Sequence, residues 1–159
     1  MKKIKKTVVK PKSKPYVPKE LDKLINNAVI RYLKVLGYCN YEVRIHYSKV
    51  ATPSMVEQRS TGDAAATMSV DLRYMRAHLK VFPYIIDGWK NKKVTSQEVE
   101  EIIAHEVSHI ATNHLFTIAV ATYKEEGETI DSWENLTTVV GRLVFEVDRR
   151  RRGFKKSNE

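Results

Sequence analysis

The sequence predicts a single α+β domain: one helix, a three-stranded sheet and then two further helices. Apolar residues keep helical spacing at the start of the body and again over its second half. Between these segments, apolar and polar residues alternate over three short stretches, as they do in half-buried strands. With 159 residues, 42% of them hydrophobic, the chain can bury one core of ordinary size.

The helical spacing of apolar residues predicts the first helix, and the alternation of apolar and polar residues predicts the strands. Gly37 is well placed to end the helix. Pro83 suits a strand end, because its missing N–H cannot join an interior ladder. The helical stripe consists of Leu21, Leu24, Ile25, Ala28, Tyr32 and Leu36. Three strands are predicted, in a mainly antiparallel sheet: Tyr41–Tyr47, Ala66–Leu72 and Ala77–Val81.

Two helices are predicted in the second half. Thr95-Ser96-Gln97-Glu98 has the S/T-x-x-E form of a capping box, and neither Gly nor Pro follows it until Gly127. A loop is expected at Lys124–Glu128, and the last helix from about Ser132. Its apolar face would comprise Trp133, Leu136, Val140, Leu143 and Val147.

Charge divides the chain into a body and two basic ends. Residues 1–19 carry eight Lys and no acid, residues 149–159 have a net charge of +5, and residues 20–148 total −4. We therefore expect a folded domain over 20–148 between two basic tails. Such tails can neutralise nucleic-acid phosphates, although solvated ends that only aid solubility are the simpler interpretation.

The sequence gives no sign of a membrane or secreted protein. No apolar run approaches the roughly 20 residues that cross a bilayer. The N-terminal apolar stretch is too short for a signal peptide. The single cysteine, Cys39, cannot form an intrachain disulfide, which fits a reducing compartment. We therefore expect a cytoplasmic protein.

The motif with the clearest chemistry is His105-Glu106-Val107-Ser108-His109, which reads HExxH. Within the predicted helix, the two imidazoles lie four residues apart on one face and can bind one ion. Zinc binds His nitrogen well, and a Glu beside the first ligand can act as general base. The alternative is an amphipathic helix whose two His are only packed or solvated.

This order of elements, with HExxH on the helix after the sheet, resembles the zincin metallopeptidases. The resemblance covers about 20 to 148 and implies a backing helix, the sheet, an active-site helix and a C-terminal helix. In those families the last strand before the active-site helix often forms the cleft edge, where substrate pairs as an added strand. The resemblance therefore implies Arg76–Phe82 as the substrate ledge, with His78 on that strand.

One zinc ligand is missing from HExxH, since catalytic zinc generally takes three protein ligands. The stretch HEVSHIATNH loosely resembles the three-His pattern of metzincins and SprT-like proteases, which would make His114 the third ligand. However, metzincins break this helix at a Gly, and Ile110–Asn113 has none. On a continuous helix His114 lies nearly opposite His105.

Glu134 is the favoured third ligand. It lies 25 positions after His109, and here the chain resembles gluzincins, whose third ligand is a Glu on the following helix. Trp133–Thr138 also resembles the corresponding segment of small phage and mobile-element metallopeptidases. Glu128 and Asp131 are alternative ligands. Glu134 could instead close a capping box with Asp131, or be a solvated acid.

The stripe that begins at Glu134 predicts two supporting residues. We expect the Thr138 hydroxyl to hold the His rings from behind, and Gly141 to let the two helices approach closely. For the group that stabilises the oxyanion, Tyr123 and His78 are positional candidates between which the sequence does not choose.

The resemblance implies a zinc-dependent peptidase that hydrolyses protein or peptide substrates with a metal-activated water. His105, His109 and Glu134 would hold Zn²⁺, and Glu106 would take the proton of the water and return it to the leaving amine. Two alternatives stay open: a DNA-associated, SprT-like protease that uses its basic tails, and a non-enzymatic nucleic-acid-binding or adaptor protein with a vestigial metal site.

Overall fold

The computed structural model describes residues 16–50, 64–122 and 126–153. Within these ranges the α+β class is confirmed, and none of the helices is long and apolar enough to cross a membrane. The elements are α1 (Lys19–Leu36), β1 (Glu42–Tyr47), β2 (Ala66–Asp71), β3 (Arg76–Val81), α2 (Pro83–Lys90), α3 (Ser96–Thr122) and α4 (Glu126–Arg151).

The sheet is mixed, whereas a mainly antiparallel sheet was predicted. Its order is β1-β3-β2, with β3 parallel to β1 and antiparallel to β2. The last strand is therefore central, and the prediction of Arg76–Phe82 as substrate ledge was wrong, because β3 is already paired on both sides. Among the described residues, the free edges belong to β1 and β2. Alternation reports which face of a strand is buried, but it does not report strand order.

One face of the sheet is covered by helices and the other is open to solvent. Ala77 and Leu79 of β3 are fully buried, whereas His78 between them is exposed. Helix α3 lies at the centre of the domain, since it contacts α1, α4 and β2. The helical stripe predicted for α1 forms much of the core, with Leu21, Ile25, Ala28 and Tyr32 fully buried.

Two predicted helix boundaries are confirmed in atomic detail. Gly37 has a φ of 79°, and the N–H of Tyr38 donates to the carbonyl of Leu33 at 2.8 Å, which closes α1 with a left-handed cap. At the start of α3, the Thr95 N–H donates to Glu98 Oε2 at 2.6 Å, and the Glu98 N–H donates to Thr95 Oγ1 at 3.2 Å. This capping box fixes where the HExxH helix begins.

Helix α2 was not predicted. Strand β3 ends at Val81, as expected, but Pro83 then opens a helix at the first helical position, where its missing N–H has no partner to lose. Ile85 and Ile86 are fully buried and tie α2 to the core. A helix of eight residues is too short for its apolar period to stand out in the sequence.

Helix α4 is longer than predicted at both ends. It begins at Glu126, so the loop expected at Lys124–Glu128 was wrong from Glu126 onward, and its first two positions lie outside the described residues. Gly127 lies in the first turn, where a glycine costs less than in a helix interior. At the other end the helix continues to Arg151, three positions past the predicted domain boundary.

The C-terminal arginines are partly structural. Arg152 Nη2 lies 2.7 Å from Glu100 Oε2, and Arg152 Nε lies 3.0 Å from Asp148 Oδ2. Arg31 of α1 contacts the same two carboxylates, at 2.6 Å and 3.1 Å. This network joins α1, α3 and α4, so the basic segment predicted as a tail from 149 onward is folded at least to Arg152.

The apolar face predicted for α4 is confirmed only in part: Trp133 contacts His109 and Val140 packs against the core. Leu136, Leu143 and Val147 are exposed, at 39%, 61% and 38%. The face that packs inward instead carries small and polar residues beside two apolar ones: Thr137, Gly141, Val144, Phe145 and Asp148. Hydrophobicity alone places three of the five residues on the wrong side, because part of the contact with α3 is made through close backbone approach and polar groups.

We expect Glu100→Ala to lower the free energy of unfolding by about 2 kcal/mol, since it leaves Arg31 and Arg152 without one of their two buried carboxylates. Urea unfolding followed by circular dichroism measures the change. Glu20→Ala, at an exposed position of α1, serves as the control and should change stability by less than about 0.5 kcal/mol. Equal stabilities of the two variants would contradict a structural role for the network.

Candidate metal centre

Helix α3 presents the two histidines of the HExxH motif on one face. His105 and His109 lie one turn apart, and their ring centroids are 5.0 Å apart with the planes at 89°. His109 is buried and His105 is half-buried. Both rings therefore face a sheltered site rather than bulk solvent.

Helix α4 brings a carboxylate to both rings. Glu134 Oε2 lies 3.4 Å from His105 Nε2, and Glu134 Oε1 lies 3.8 Å from His109 Nε2. One ligand atom from each of the three residues lies within 4.8 Å of the others, so the group could hold a metal ion. Because α4 begins at Glu126, Asp131 is not at a helix start, and the capping-box interpretation of Glu134 was wrong.

The spacing of these atoms fits a single ion. Two ligands about 2.1 Å from a tetrahedral ion lie about 3.4 Å from each other. The two histidine–carboxylate distances are 3.4 Å and 3.8 Å, and the three ligand atoms all lie within 4.8 Å of one another, so the side chains must move closer together to coordinate an ion. Two imidazoles and one carboxylate form a donor set that zinc accepts.

Gly141 allows α4 to approach α3 closely enough for this geometry. A Cβ at position 141 would lie 2.8 Å from His105 Cα and 3.1 Å from His105 N. No side chain fits into that space without moving a helix. The close approach expected for Gly141 is thus present, and it occurs at the backbone of His105 itself.

A threonine hydroxyl lies behind each histidine ring. Thr138 Oγ1 is 3.5 Å from His105 Nδ1, and Thr137 Oγ1 is 3.5 Å from His109 Nδ1. These contacts are long for hydrogen bonds. They are compatible with imidazoles that carry the proton on Nδ1 and present Nε2 to Glu134. The sequence predicted Thr138; Thr137 was missed, although it lies only three residues after Glu134.

Thr137 belongs to a buried polar chain that supports His109. The hydroxyls of Thr112 and Thr137 are 2.8 Å apart, and Trp133 Nε1–H donates to Thr112 Oγ1 at 3.0 Å. The Trp133 ring lies 4.6 Å from the ring of His109 and stacks on Phe116 at 4.2 Å. Trp133 therefore walls one side of the site and restricts the orientation of His109.

The pKa of His109 is lowered and that of His105 is raised, because burial and neighbouring charges act on them with different strength. Burial lowers the pKa of His109 to about 4, despite the opposing charge of Glu134. Burial acts in the same sense on His105, but its hydrogen bond to Glu134 and the charges of Glu106 and Glu134 raise the pKa of that imidazole overall. The pKa of Glu134 is lowered, since its contacts with the two histidines outweigh burial. His109 is thus neutral at physiological pH, as a metal ligand must be.

Glu106 is not one of the three clustered residues, but it is buried close enough to His105 and Glu134 to interact with their charges. Burial raises the pKa of its carboxyl to about 7, with His105 and a backbone hydrogen bond from Met68 acting to lower it. Met68 lies on β2, one of the two strands with a free edge among the described residues. A proton-accepting group is therefore positioned between the three ligands and a strand edge.

The remaining candidates are not brought to this site. His78 is exposed on the far face of the sheet, where its ring stacks on His46 at 5.4 Å. That face is the wrong one for stabilising an oxyanion in the cleft. Asp131 is exposed and is not one of the three clustered residues. The side chains of His114 and Glu128, and the whole of Tyr123, lie outside the described residues.

The backbone still bears on the alternative that assigns the third ligand to His114. Helix α3 runs without interruption from Ser96 to Thr122. On such a helix, position 114 is about half a turn round from His105. The helix break that this ligand pattern requires is therefore absent between His109 and position 114.

Comparisons with protein-family models, with curated proteins and with solved structures find no match to this chain.

We expect Gly141→Ala to destabilise the protein by about 2 kcal/mol, although alanine normally favours helices over glycine. The added methyl group would push α4 away from the backbone of His105. Thermal or urea unfolding measures the effect, and Asn135→Ala at an exposed position of α4 is the control, with no loss expected. A stabilised Gly141→Ala variant would show that the helices do not pack this closely.

Proposed function

We propose that this protein is a zinc-dependent peptidase with a zincin-like, gluzincin-type site. The observation that carries this proposal is the convergence of His105, His109 and Glu134 beside the buried carboxylate of Glu106. Three ligands from two helices, with a separate acid next to them, are the parts that metal-assisted hydrolysis of an amide requires.

Zinc is the metal that the donor set favours. Two imidazole nitrogens and one carboxylate form a common catalytic zinc site, and three protein ligands leave one position for water or substrate. When bound, zinc supplies Lewis acidity, which lowers the pKa of a ligated water and polarises the scissile carbonyl. The hydroxyls of Thr137 and Thr138 would hold the Nδ1 protons of the two ligands, so that the rings stay oriented.

Glu106 is the proposed general base. On α3 it lies about 100° round from His105, so it shares the site without competing for the ligand positions. Burial raises the pKa of this carboxyl, so it holds a proton more readily than a solvated carboxyl does, as a group that accepts and returns a proton must. Glu106 would take the proton from the attacking water and deliver it to the leaving amine.

Strand β2 is the proposed ledge for the substrate, in place of β3. The hydrogen bond from the Met68 backbone to Glu106 brings the proton-accepting carboxylate to β2. An extended peptide that pairs with the free edge of this strand would run past Glu106 and the three ligands. Backbone pairing of this kind gives affinity with little dependence on side-chain identity.

Glu106→Gln should abolish peptide hydrolysis while leaving zinc bound. We expect the rate to fall at least 100-fold, because the amide cannot accept a proton, whereas His105, His109 and Glu134 are untouched. Cleavage of a mixture of unstructured peptides is followed by mass spectrometry, and bound zinc is counted by elemental analysis. Glu101→Gln, at an exposed position of the same helix, is the matched control.

The measurements of bound zinc and of cleavage rate distinguish a failure of the metal site from a failure of the role of Glu106. A wild-type protein that binds no zinc contradicts the metal site. A protein that binds zinc but whose Glu106→Gln variant cleaves peptides as fast as the wild type contradicts the role of Glu106 alone.

Thr137→Val should weaken zinc binding by about tenfold or more without changing the ligands themselves. Valine removes the hydroxyl that faces His109 Nδ1 at 3.5 Å and keeps nearly the same volume. Competition with a chromophoric chelator measures the affinity. Thr117→Val, at an exposed position on α3, should bind zinc like the wild type. Equal affinities of both variants would show that the Thr137 hydroxyl does not support the site.

A further inference from the structure

A basic surface with two aromatic residues lies where α1 and α3 begin. We call it the lysine–tryptophan surface and define it by Tyr16, Lys49, Trp89, Lys90, Lys92 and Lys93. At its centre is an open cavity of about 560 Å³. The cavity is lined by Pro18, Trp89, Lys90, Lys92, Val94, Thr95 and Ser96.

The ring of Tyr16 lies close to the ammonium groups of two lysines of this surface. Its O–H donates to the carbonyl of Ser48 at 2.7 Å, which fixes the ring against the segment after β1. Lys90 Nζ lies 4.7 Å and Lys49 Nζ 5.7 Å from the centre of this ring. Because cations are attracted to the face of an aromatic ring, ammonium groups from two distant parts of the chain both lie close to Tyr16.

The charge of the lysine–tryptophan surface is opposite to that of the body as a whole. Residues 20–148 total −4, whereas four lysines lie here. The carboxylate of Asp87, 3.4 Å from Lys90 Nζ, balances only one of them. Glu98 is nearby but is engaged by Thr95 in the capping box at the start of α3.

The turn after α2 places Lys92 at the cavity in an uncommon backbone conformation. Lys92 has a φ of 56°, a region that side-chain-bearing residues rarely adopt and that glycine or asparagine usually fills. The turn is fixed by the N–H of Lys92 donating to Trp89 O at 3.1 Å and that of Lys93 donating to Gly88 O at 2.8 Å. A lysine is thus held beside Trp89 where a smaller residue would be less strained.

We propose that the lysine–tryptophan surface binds single-stranded nucleic acid. The lysines would neutralise successive phosphates, and an unpaired base would enter the cavity against the half-buried indole of Trp89. A duplex keeps its bases stacked inside and offers none to such a cavity. This inference is independent of the peptidase proposal.

The first test compares full-length wild type with a Lys90→Ala/Lys92→Ala/Lys93→Ala variant that keeps residues 1–15. Fluorescence anisotropy with a labelled oligothymidine of about 15 nucleotides measures affinity over a range of salt concentrations. We expect the variant to bind at least tenfold more weakly. A plot of the logarithm of the binding constant against the logarithm of salt concentration has a negative slope. For the variant this slope should be smaller in magnitude by about 2, the value for three lost phosphate contacts.

The matched control is Lys34→Ala/Arg73→Ala/Arg150→Ala, which removes the same charge from exposed positions elsewhere. It should bind like the wild type. If the two triple variants lose affinity equally, the attraction comes from net charge and not from this surface, and the proposal fails. It also fails if the wild type does not bind the oligonucleotide at low salt.

The second test determines whether the cavity binds an unpaired base. An abasic strand of the same length keeps the phosphates but offers nothing to stack on Trp89, so we expect it to bind about tenfold more weakly. Equal binding of the abasic strand, or tighter binding of duplex DNA, overturns the base-binding cavity. Binding to anionic lipid vesicles without binding to the oligonucleotide would assign the surface to a membrane instead.

A measurement on the wild-type protein alone avoids the possibility that a variant loses affinity because it misfolds. Photo-cross-linking of wild-type protein to a bromodeoxyuridine oligonucleotide, mapped by peptide mass spectrometry, should label residues 83–93. Labels confined to other parts of the chain would contradict the proposal. Zinc content, measured in parallel, should be the same for wild type and both triple variants.

Discussion

The close packing of α4 on α3 at Gly141 is the constraint on which the candidate site depends. With no Cβ at position 141, the backbone of α4 lies against that of His105, where a methyl group would approach to 2.8 Å. Two helical turns away, the same approach brings the Glu134 carboxylate between both histidines. It also sets Thr137 and Thr138 behind the rings. A wider helix separation would remove the acid and both hydroxyls together.

Helix α3 links two regions of different character. The capping box of Thr95 and Glu98 fixes its first turn at the edge of the lysine–tryptophan surface. His105 follows nine residues after Ser96, roughly 13 Å along the axis at 1.5 Å per residue. A nucleic acid bound at the first turn would therefore lie near the proposed peptidase cleft without occupying it.

Local chemistry made much of this site predictable. HExxH, the capping box and Gly37 each act over one or two helical turns, and the structure places them on α3 and α1 as the sequence predicted. Glu134 and Gly141 meet His105 across the contact between α3 and α4, and Glu134 was expected there from the resemblance to gluzincins rather than from a local rule. What depends on long-range packing was not predictable. Strand order put β3 in the centre of the sheet, so the ledge had to be reassigned to β2. The inward face of α4 is chosen by Gly141 and Thr137 rather than by its apolar stripe, which no periodicity rule anticipates.

X-ray absorption at the zinc edge, recorded on zinc-loaded wild type and Glu134→Ala, tests the central claim most directly. The account predicts two imidazole nitrogens and one carboxylate oxygen at about 2.0–2.1 Å in the wild type, with the protein oxygen replaced by solvent and weaker binding in the variant. A wild-type spectrum with three imidazoles, or identical spectra and affinities for the two proteins, would contradict Glu134 as the third ligand.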